Sequence, residues 1–453
     1  MKYLSRVFFH NHKLFGAARQ HVPVLLWLVI LGWLLMAAVS VSGVERFPPP
    51  DFDAGYKMPP TTAPVPRAPW LEYLDVMVLL ASLATAAWFV LEKRSRKHVL
   101  GLTIFSALYF GFYRKGCVCS VGSIQDVTLA LFNNGYTVPL AVLAFFLLPL
   151  MFALFFGRVF CSGVCPLGAI QDLFLIRAIK VPKWLEHGLS VIPFVYLGLA
   201  VLLAATGSVF IICQYDPFIA FYRRTGSATM FGVGAVFLLV GIVVGRPYCR
   251  FLCPYGALLN LVSRVSKWNV VLSPNDCLQC QICEVACPYG AIAEPKVEVK
   301  GKTGMGRFIT LALLPVWVVV GAYVGHLSAT PLSQMHPVVA LAERVMAEDA
   351  GQFKEPTDAS KAFRQTGRLT DELRADGLNI RNKFLWGGWL LGGFVGLVIA
   401  AKFTAPWFPS GRAVYEPDPG ACVSCARCYS YCPRVISQLK KVQCQCAVPE
   451  IKA

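Results

Sequence analysis

Apolar runs alternate with polar, mostly basic stretches along the whole chain. Runs long enough to cross a bilayer occupy 22–43, 71–92, 137–157, 190–212, 229–246, 308–325 and 384–404, with a shorter one at 99–113. A hydrocarbon core roughly 30 Å thick takes about 20 helical residues. The pattern therefore predicts a mainly α fold, a polytopic membrane helix bundle of about eight spans. The first run follows a basic stretch, and Ala38-Val39-Ser40 resembles a cleavage site. Its length favours an uncleaved anchor.

Charge changes this picture by giving it a direction. Lys2, Arg6, Lys13 and Arg19 precede the first run without an acid, and Lys93, Arg94, Arg96 and Lys97 follow the second. Residues 158–188, 247–307 and 402–453 also carry more Lys and Arg than Asp and Glu, whereas 44–70 and 326–382 are close to balanced. Basic loops stay on the cytoplasmic side. Eight spans with both termini inside satisfy these asymmetries and imply a multi-pass protein of a bacterial inner membrane. The chain then divides into 1–43 (inner tail and anchor), 44–98 (Pro-rich outer linker and second span) and 99–270 (transmembrane core). There follow 271–299 (a first cysteine-rich stretch), 300–325 (seventh span), 326–382 (an outer helical segment), 383–404 (eighth span) and 405–453 (a second cysteine-rich stretch and tail).

Composition agrees. The 453 residues are 56% hydrophobic and 15% charged, with a mean hydropathy of +0.57, more apolar surface than a soluble chain of this length would hide. The net charge of +17 falls on the flanks of apolar runs, which excludes a nucleic-acid face and leaves lipid as the partner.

Seventeen cysteines carry the candidate chemistry. Cys277, Cys280, Cys283 and Cys287-Pro288 form a C-x2-C-x2-C-x3-C-P run, and Cys422, Cys425, Cys428 and Cys432-Pro433 form a second. This is the bacterial ferredoxin spacing: three thiolates wrap one cubane, and the fourth is sent to the other. The expected cofactors are two [4Fe–4S] clusters, one on Cys277, Cys280, Cys283 and Cys432, the other on Cys422, Cys425, Cys428 and Cys287. Zinc favours two CxxC pairs instead. Two spans between the motifs return the chain to the same side, so a split two-cluster ferredoxin-like α+β module on the inner face is expected.

Gly157-Arg158-x2-Cys161-x3-Cys165-Pro166-x-Gly168 and Gly245-Arg246-x2-Cys249-x3-Cys253-Pro254-x-Gly256 match position by position, an internal repeat. Cysteines at i and i+4 share a helix face. Two such pairs offer four thiolates to a third centre, with reduced thiols or a structural pair as the other reading. A degenerate copy, Arg114-Lys-Gly-Cys117-Val-Cys119-Ser-Val-Gly122-Ser-Ile-Gln-Asp126, falls on the outer side with Cys213. These three cysteines suit either an outer centre or a disulfide. Cys444 and Cys446 are expected to be unliganded.

Other cofactors are poorly supported. C-x-x-C-H is absent, no two histidines face each other mid-span, and Thr225-Gly-Ser-Ala-Thr229 misses the flavin-accepting pattern by one residue, so neither haem nor FMN is expected. Lys300–Gly306 lacks a phosphate-loop pattern. Glu72 and Asp75 read as solvated groups at a span end.

Paired C-x3-C-P motifs followed by ferredoxin runs resemble the NapH/NosR-type membrane polyferredoxins, over about 99–292. The full NosR type carries an outer flavin-binding domain, for which 44–70 is too short. The resemblance implies electron transfer between the quinone pool or inner donors and other redox subunits of a respiratory complex. No catalytic residue is assigned. The competing functions are a redox sensor or maturation factor, and a stand-alone quinone or metal reductase.

Overall fold

The computed structural model describes residues 68–116, 119–133, 135–272, 277–295, 304–353, 355–404, 414–433 and 435–437. The expected first span at 22–43, the 44–67 linker, Cys117, Cys444 and Cys446 lie outside these residues. The fold is mainly helical, with one two-stranded sheet among the described residues.

Among the described residues, four helical segments are long and apolar enough to cross a membrane: Trp70–Leu91, Lys183–Ala205, Ala312–Ser333 and Thr370–Thr404. They match four of the expected runs. Two others are shorter than expected. The 137–157 run forms a helix only over Leu140–Phe156, ended by Gly157 at φ 69°, and the 229–246 run forms Ala228–Gly241. The Gly157-Arg158 pair ends the first, whereas the second stops at Gly241, four residues before Gly245-Arg246.

The short 99–113 run is part of a helix that begins at Arg96 and widens into a π-helical stretch, Ala107–Tyr113. Gly111 sits in that stretch because the Tyr222 ring occupies the space a side chain would fill. Arg96 pairs with Asp172 near the cysteine-rich motifs, while Arg114 pairs at 2.8 Å with Asp75 near the start of Trp70–Leu91. The segment thus runs the length of the bundle. Asp75 is buried, 1% exposed, and also accepts from Tyr109 Oη at 2.8 Å, so the expected solvation of this residue gives way to a buried pair.

The last two long helices form a tight hairpin. Gly321 and Gly325 of Gly304–Ser333 lie backbone-to-backbone against Gly388, Gly392 and Gly396 of Thr370–Thr404, an approach that any Cβ would block. The expected outer segment 326–382 is thereby resolved into extensions of these helices plus Pro337–Asp349 and Asp358–Gln365. Thr357 caps the latter through the Ser360 N–H.

The hairpin brings both cysteine-rich stretches together. Ile292–Ala293 pairs antiparallel with Glu416–Pro417, in register Ile292 to Pro417 and Ala293 to Glu416, and Ile282–Ala286 packs on Arg427–Tyr431.

Candidate metal centres

The two ferredoxin-spaced loops adopt the same backbone. Gln279 and Gln281 in the first have φ of 48° and 61°, and Ser424 and Ala426 in the second have 52° and 60°. Left-handed conformations cost non-glycine residues roughly 1–2 kcal/mol each. Alternating with negative-φ neighbours, these residues suit the kind of backbone turn whose N–H groups form an anion-binding nest. Each loop then enters a five-residue helix carrying the third cysteine, Cys283 or Cys428, and the fourth, Cys287 or Cys432, is the extended residue that ends it.

The grouping of thiols crosses between motifs. Burial pushes Cys283 up to about 11, and Cys432, Cys280 and Cys277 add to the rise. Burial pushes Cys422 up to about 12, with Cys425 and Cys287 beside it. Burial also raises Cys428, whose thiol neighbours are Cys425, Cys422 and Cys287. One cavity is lined by Cys287, Cys422, Cys425 and Cys428, with apolar walls from Val270, Ile292 and Val423. Cys432 thus groups with the first motif and Cys287 with the second, across two short helices packed side by side.

The C-x3-C-P repeats are arranged differently from a single helix face. Cys161 lies in Val159–Gly163, but Cys165 is the extended N-cap of Pro166–Phe174; Cys249 and Cys253 repeat this in Pro247–Phe251 and Pro254–Ser263. Proline disfavours helical backbone in the residue before it and cannot continue a helix, but suits the first turn of a new one. Cys165 nevertheless has Cys249, Cys161 and Cys253 as its thiol neighbours.

A local two-fold relation organises this quartet. Cys253 Sγ accepts the Gly256 N–H at 3.3 Å, and Cys165 accepts that of Gly168. Gly168 adjoins Arg246 of the other unit, and Gly256 adjoins Arg158; a Cβ would stand 3.3 and 3.4 Å from those guanidiniums. Arg158 Nη2 also donates to Cys161 Sγ at 3.8 Å, and Gln171 Nε2 donates to Cys249 Sγ at 3.2 Å. Gln171 carries no assigned role in the sequence pattern, where it stands only as part of a Gly-x-Ile-Gln-Asp echo shared by 122–126 and 168–172.

The quartet is locked to the ferredoxin-spaced loops. Asp172 accepts from Arg96 at 2.5 Å, Arg427 at 3.1 Å and Tyr289 Oη at 3.2 Å, and pairs with Arg246 at 3.3 Å. Burial alone would raise this carboxyl, but Arg246, Arg96 and Arg427 hold it below the usual carboxylate range. Arg158 Nη1 donates to the Gly420 carbonyl at 2.9 Å, and Cys161 packs against the apolar cluster of Tyr289, Ala291, Val423 and Cys425.

Do these residues fit iron–sulfur clusters? Among the described residues no three His, Cys, Asp or Glu side chains converge as a single metal ion requires. Thiolates that each hold a different corner of a cubane stand farther apart. Nε of Arg158, Arg246 and Arg427 is buried without a hydrogen-bond partner among the described residues, leaving donors for an anionic group. Thiols in quartets, N–H nests and orphaned guanidinium donors fit clusters.

The outer residues fall at the other end of the bundle. Lys183 pairs with Glu294 beside the ferredoxin-spaced motif, and the helical segment it opens, Lys183–Leu189 followed by Ile192–Ala205, leads to Cys213. Cys119 is half-buried, Cys213 exposed and Asp216 buried. Thr225–Thr229 has a structural role: Ser227 caps Ala228–Gly241 by accepting the Met230 N–H at 3.3 Å.

Cysteine quartets on a bundle of apolar helices define a membrane 4Fe–4S protein. Segments 138–183 and 225–272, which hold the two C-x3-C-P repeats, match the 4Fe-4S binding domain family. The chain is 27% identical over 150 residues to "Putative electron transport protein YccM" of Escherichia coli, covering 31% of this chain and 42% of that protein. It is 27% identical over 196 residues to uncharacterized protein MJ0750 of Methanocaldococcus jannaschii, covering 43% and 82%. It is 30% identical over 122 residues to protein NirI of Paracoccus denitrificans, covering 26% and 18%. The chain thus spans less than half of YccM. No solved structure matches it. At the level of class, the likeness to membrane polyferredoxins holds.

Proposed function

We propose that the chain relays electrons through a membrane along a line of iron–sulfur clusters, from a ferredoxin-like module on the cytoplasmic side of a bacterial inner membrane. One cluster is assigned to Cys277, Cys280, Cys283 and Cys432, a second to Cys287, Cys422, Cys425 and Cys428, and a third to Cys161, Cys165, Cys249 and Cys253. The crossed grouping of the ferredoxin-spaced cysteines is the observation that carries this reading. Each cluster when bound supplies one-electron redox chemistry. The protein's part is to hold thiolates, exclude water with Val270, Ile292 and Val423, and set potentials through charge and hydrogen bonds.

Cys161 supports the order of the line, since it neighbours Cys165 of its own quartet and packs against the apolar cluster that includes Cys425 of the second. Arg158 and Arg246, which offset cluster charge, stand at the same junction. The matched domain family and the YccM name support electron transport. Eight spans, inner-side termini, a cytoplasmic donor or quinol, and a partner redox enzyme complete the proposal, supported by the basic loops and the resemblance to polyferredoxins. Iron and acid-labile sulfide on anaerobically purified protein test it. At least about twelve irons per chain, four for each of these three clusters, with reducible EPR signals are expected, and about eight would mean the ferredoxin pair alone. Colourless material holding only zinc would overturn the relay.

A further inference from the structure

The far end of the bundle repeats the architecture of the C-x3-C-P quartet. Gln171 Oε1 accepts the Tyr248 N–H at 3.0 Å, and the next residue is Cys249. Gln125 Oε1 accepts the Ile212 N–H at the same 3.0 Å, and the next residue is Cys213. Six residues before each glutamine stands a cysteine, Cys165 or Cys119, whose sulfur accepts the N–H of the glycine three residues on, Gly168 or Gly122. Cys119 therefore occupies the place of Cys165, and Cys213 that of Cys249.

The fourth member follows the same logic. Cys253 precedes Pro254 and accepts a backbone N–H from the first turn of the next helix. Asp216 precedes Pro217 and accepts the Phe218 N–H at 2.9 Å, just before Ile219–Arg223. A carboxylate stands where the first site has a thiol. Cys119, Cys213 and Asp216 are also drawn together: a Cβ at Gly122 would stand 3.1 Å from Cys213 Sγ, and Asp216 and Cys213 both act on Cys119.

Resting on the relay reading, we propose that Cys119, Cys213 and Asp216 hold a further iron–sulfur centre, with mixed sulfur and oxygen ligation, at the end of the bundle away from the ferredoxin-spaced motifs. Tyr222 joins this site to the C-x3-C-P quartet. Its hydroxyl donates to the Pro166 carbonyl at 2.6 Å, next to Cys165, and its ring lies 3.7 Å from where Gly116 would carry a Cβ. An electron leaving the third cluster passes to this centre, which is reduced as that cluster is oxidised, and from there to a one-electron acceptor bound at exposed Cys213. No bond need form. Oxygen ligation distinguishes this exit centre from the all-thiolate clusters, because a hard carboxylate alters the charge and covalency that set potential.

The full-length chain, purified anaerobically in lipid nanodiscs, provides the test. Iron per chain and EPR spectra during a reductive titration are compared for wild type, Cys119→Ser and Asp216→Cys. Cys119→Ser is expected to lose about a quarter of the iron, if the centre is a cubane, and one EPR component, with the ferredoxin signals retained. Asp216→Cys is expected to keep its iron and shift that same component alone. Unchanged iron and spectra in Cys119→Ser would overturn the proposal, as would recovery of Cys119 and Cys213 in one disulfide-linked peptide. Loss of the ferredoxin signals from wild type itself is a separate result and would overturn the relay beneath it.

Discussion

Asp172 accepts a hydrogen bond at 3.1 Å from Arg427, a residue 255 positions later in the chain. That contact, with Arg96 and Arg246 on the same carboxylate, joins the helix that begins at Arg96, both C-x3-C-P units and the last cysteine motif at one point. The side chain of Asp172 is wholly buried.

Asp172→Asn is therefore expected to leave three guanidiniums without their counter-charge. Breaking a buried pair from one side costs about 3–5 kcal/mol. Thermal unfolding in detergent or nanodiscs should show a marked loss of stability, and iron should be lost first from the quartet containing Cys425, whose carbonyl Arg96 also holds.

The crossed quartets predict which variants share a phenotype. Cys287→Ser should remove the same EPR signal as Cys428→Ser, though the two lie in different motifs, while Cys432→Ser should remove the signal lost in Cys283→Ser. If Cys287→Ser instead matched Cys283→Ser, each motif would hold its own cluster.

Gln171→Leu removes the N–H donor to Cys249 Sγ and strands the Tyr248 N–H. A hydrogen bond to a ligating sulfur draws off electron density and favours the reduced cluster. The third cluster should shift to lower potential in an EPR-monitored titration while the ferredoxin pair stays in place. The buried, unpaired N–H should cost about 1–3 kcal/mol of stability.

Cluster loading should depend on pH. Burial pushes the Cys283 thiol up to about 11 and the Cys422 thiol up to about 12, so both are protonated in the apo protein at neutral pH. Iron binds the thiolate and must displace those protons. Reconstitution of apo protein, followed by the rise of visible absorbance, should become more complete as pH rises from 7 to about 9 and should release protons measurable in weak buffer.

Gly325→Leu in the last hairpin should separate helices whose backbones touch at Gly388 and Gly392. Overpacking of this kind costs about 1–3 kcal/mol or more. The second ferredoxin-spaced motif is carried by that hairpin, so a lower yield of protein holding both ferredoxin signals is the expected result.

The sequence by itself determined the lipid-facing helices and the ferredoxin-spaced loops. Both are written in local patterns: runs of about 20 apolar residues, and thiols two residues apart before a proline. It also determined the C-x3-C-P repeat, which is self-similar over a dozen residues. Only tertiary structure decided that Asp75 is buried with Arg114, because its position near a helix end fits solvation equally well. The same holds for Gln125, Gln171 and Asp172, ordinary polar residues until groups distant in sequence meet them. Their partners Ile212, Tyr248 and Arg427 stand 87, 77 and 255 positions away. Spacing along a chain specifies what one short segment can bind. Which segments share a buried charge or a backbone N–H depends on how the helices pack, and a linear pattern does not encode that distance.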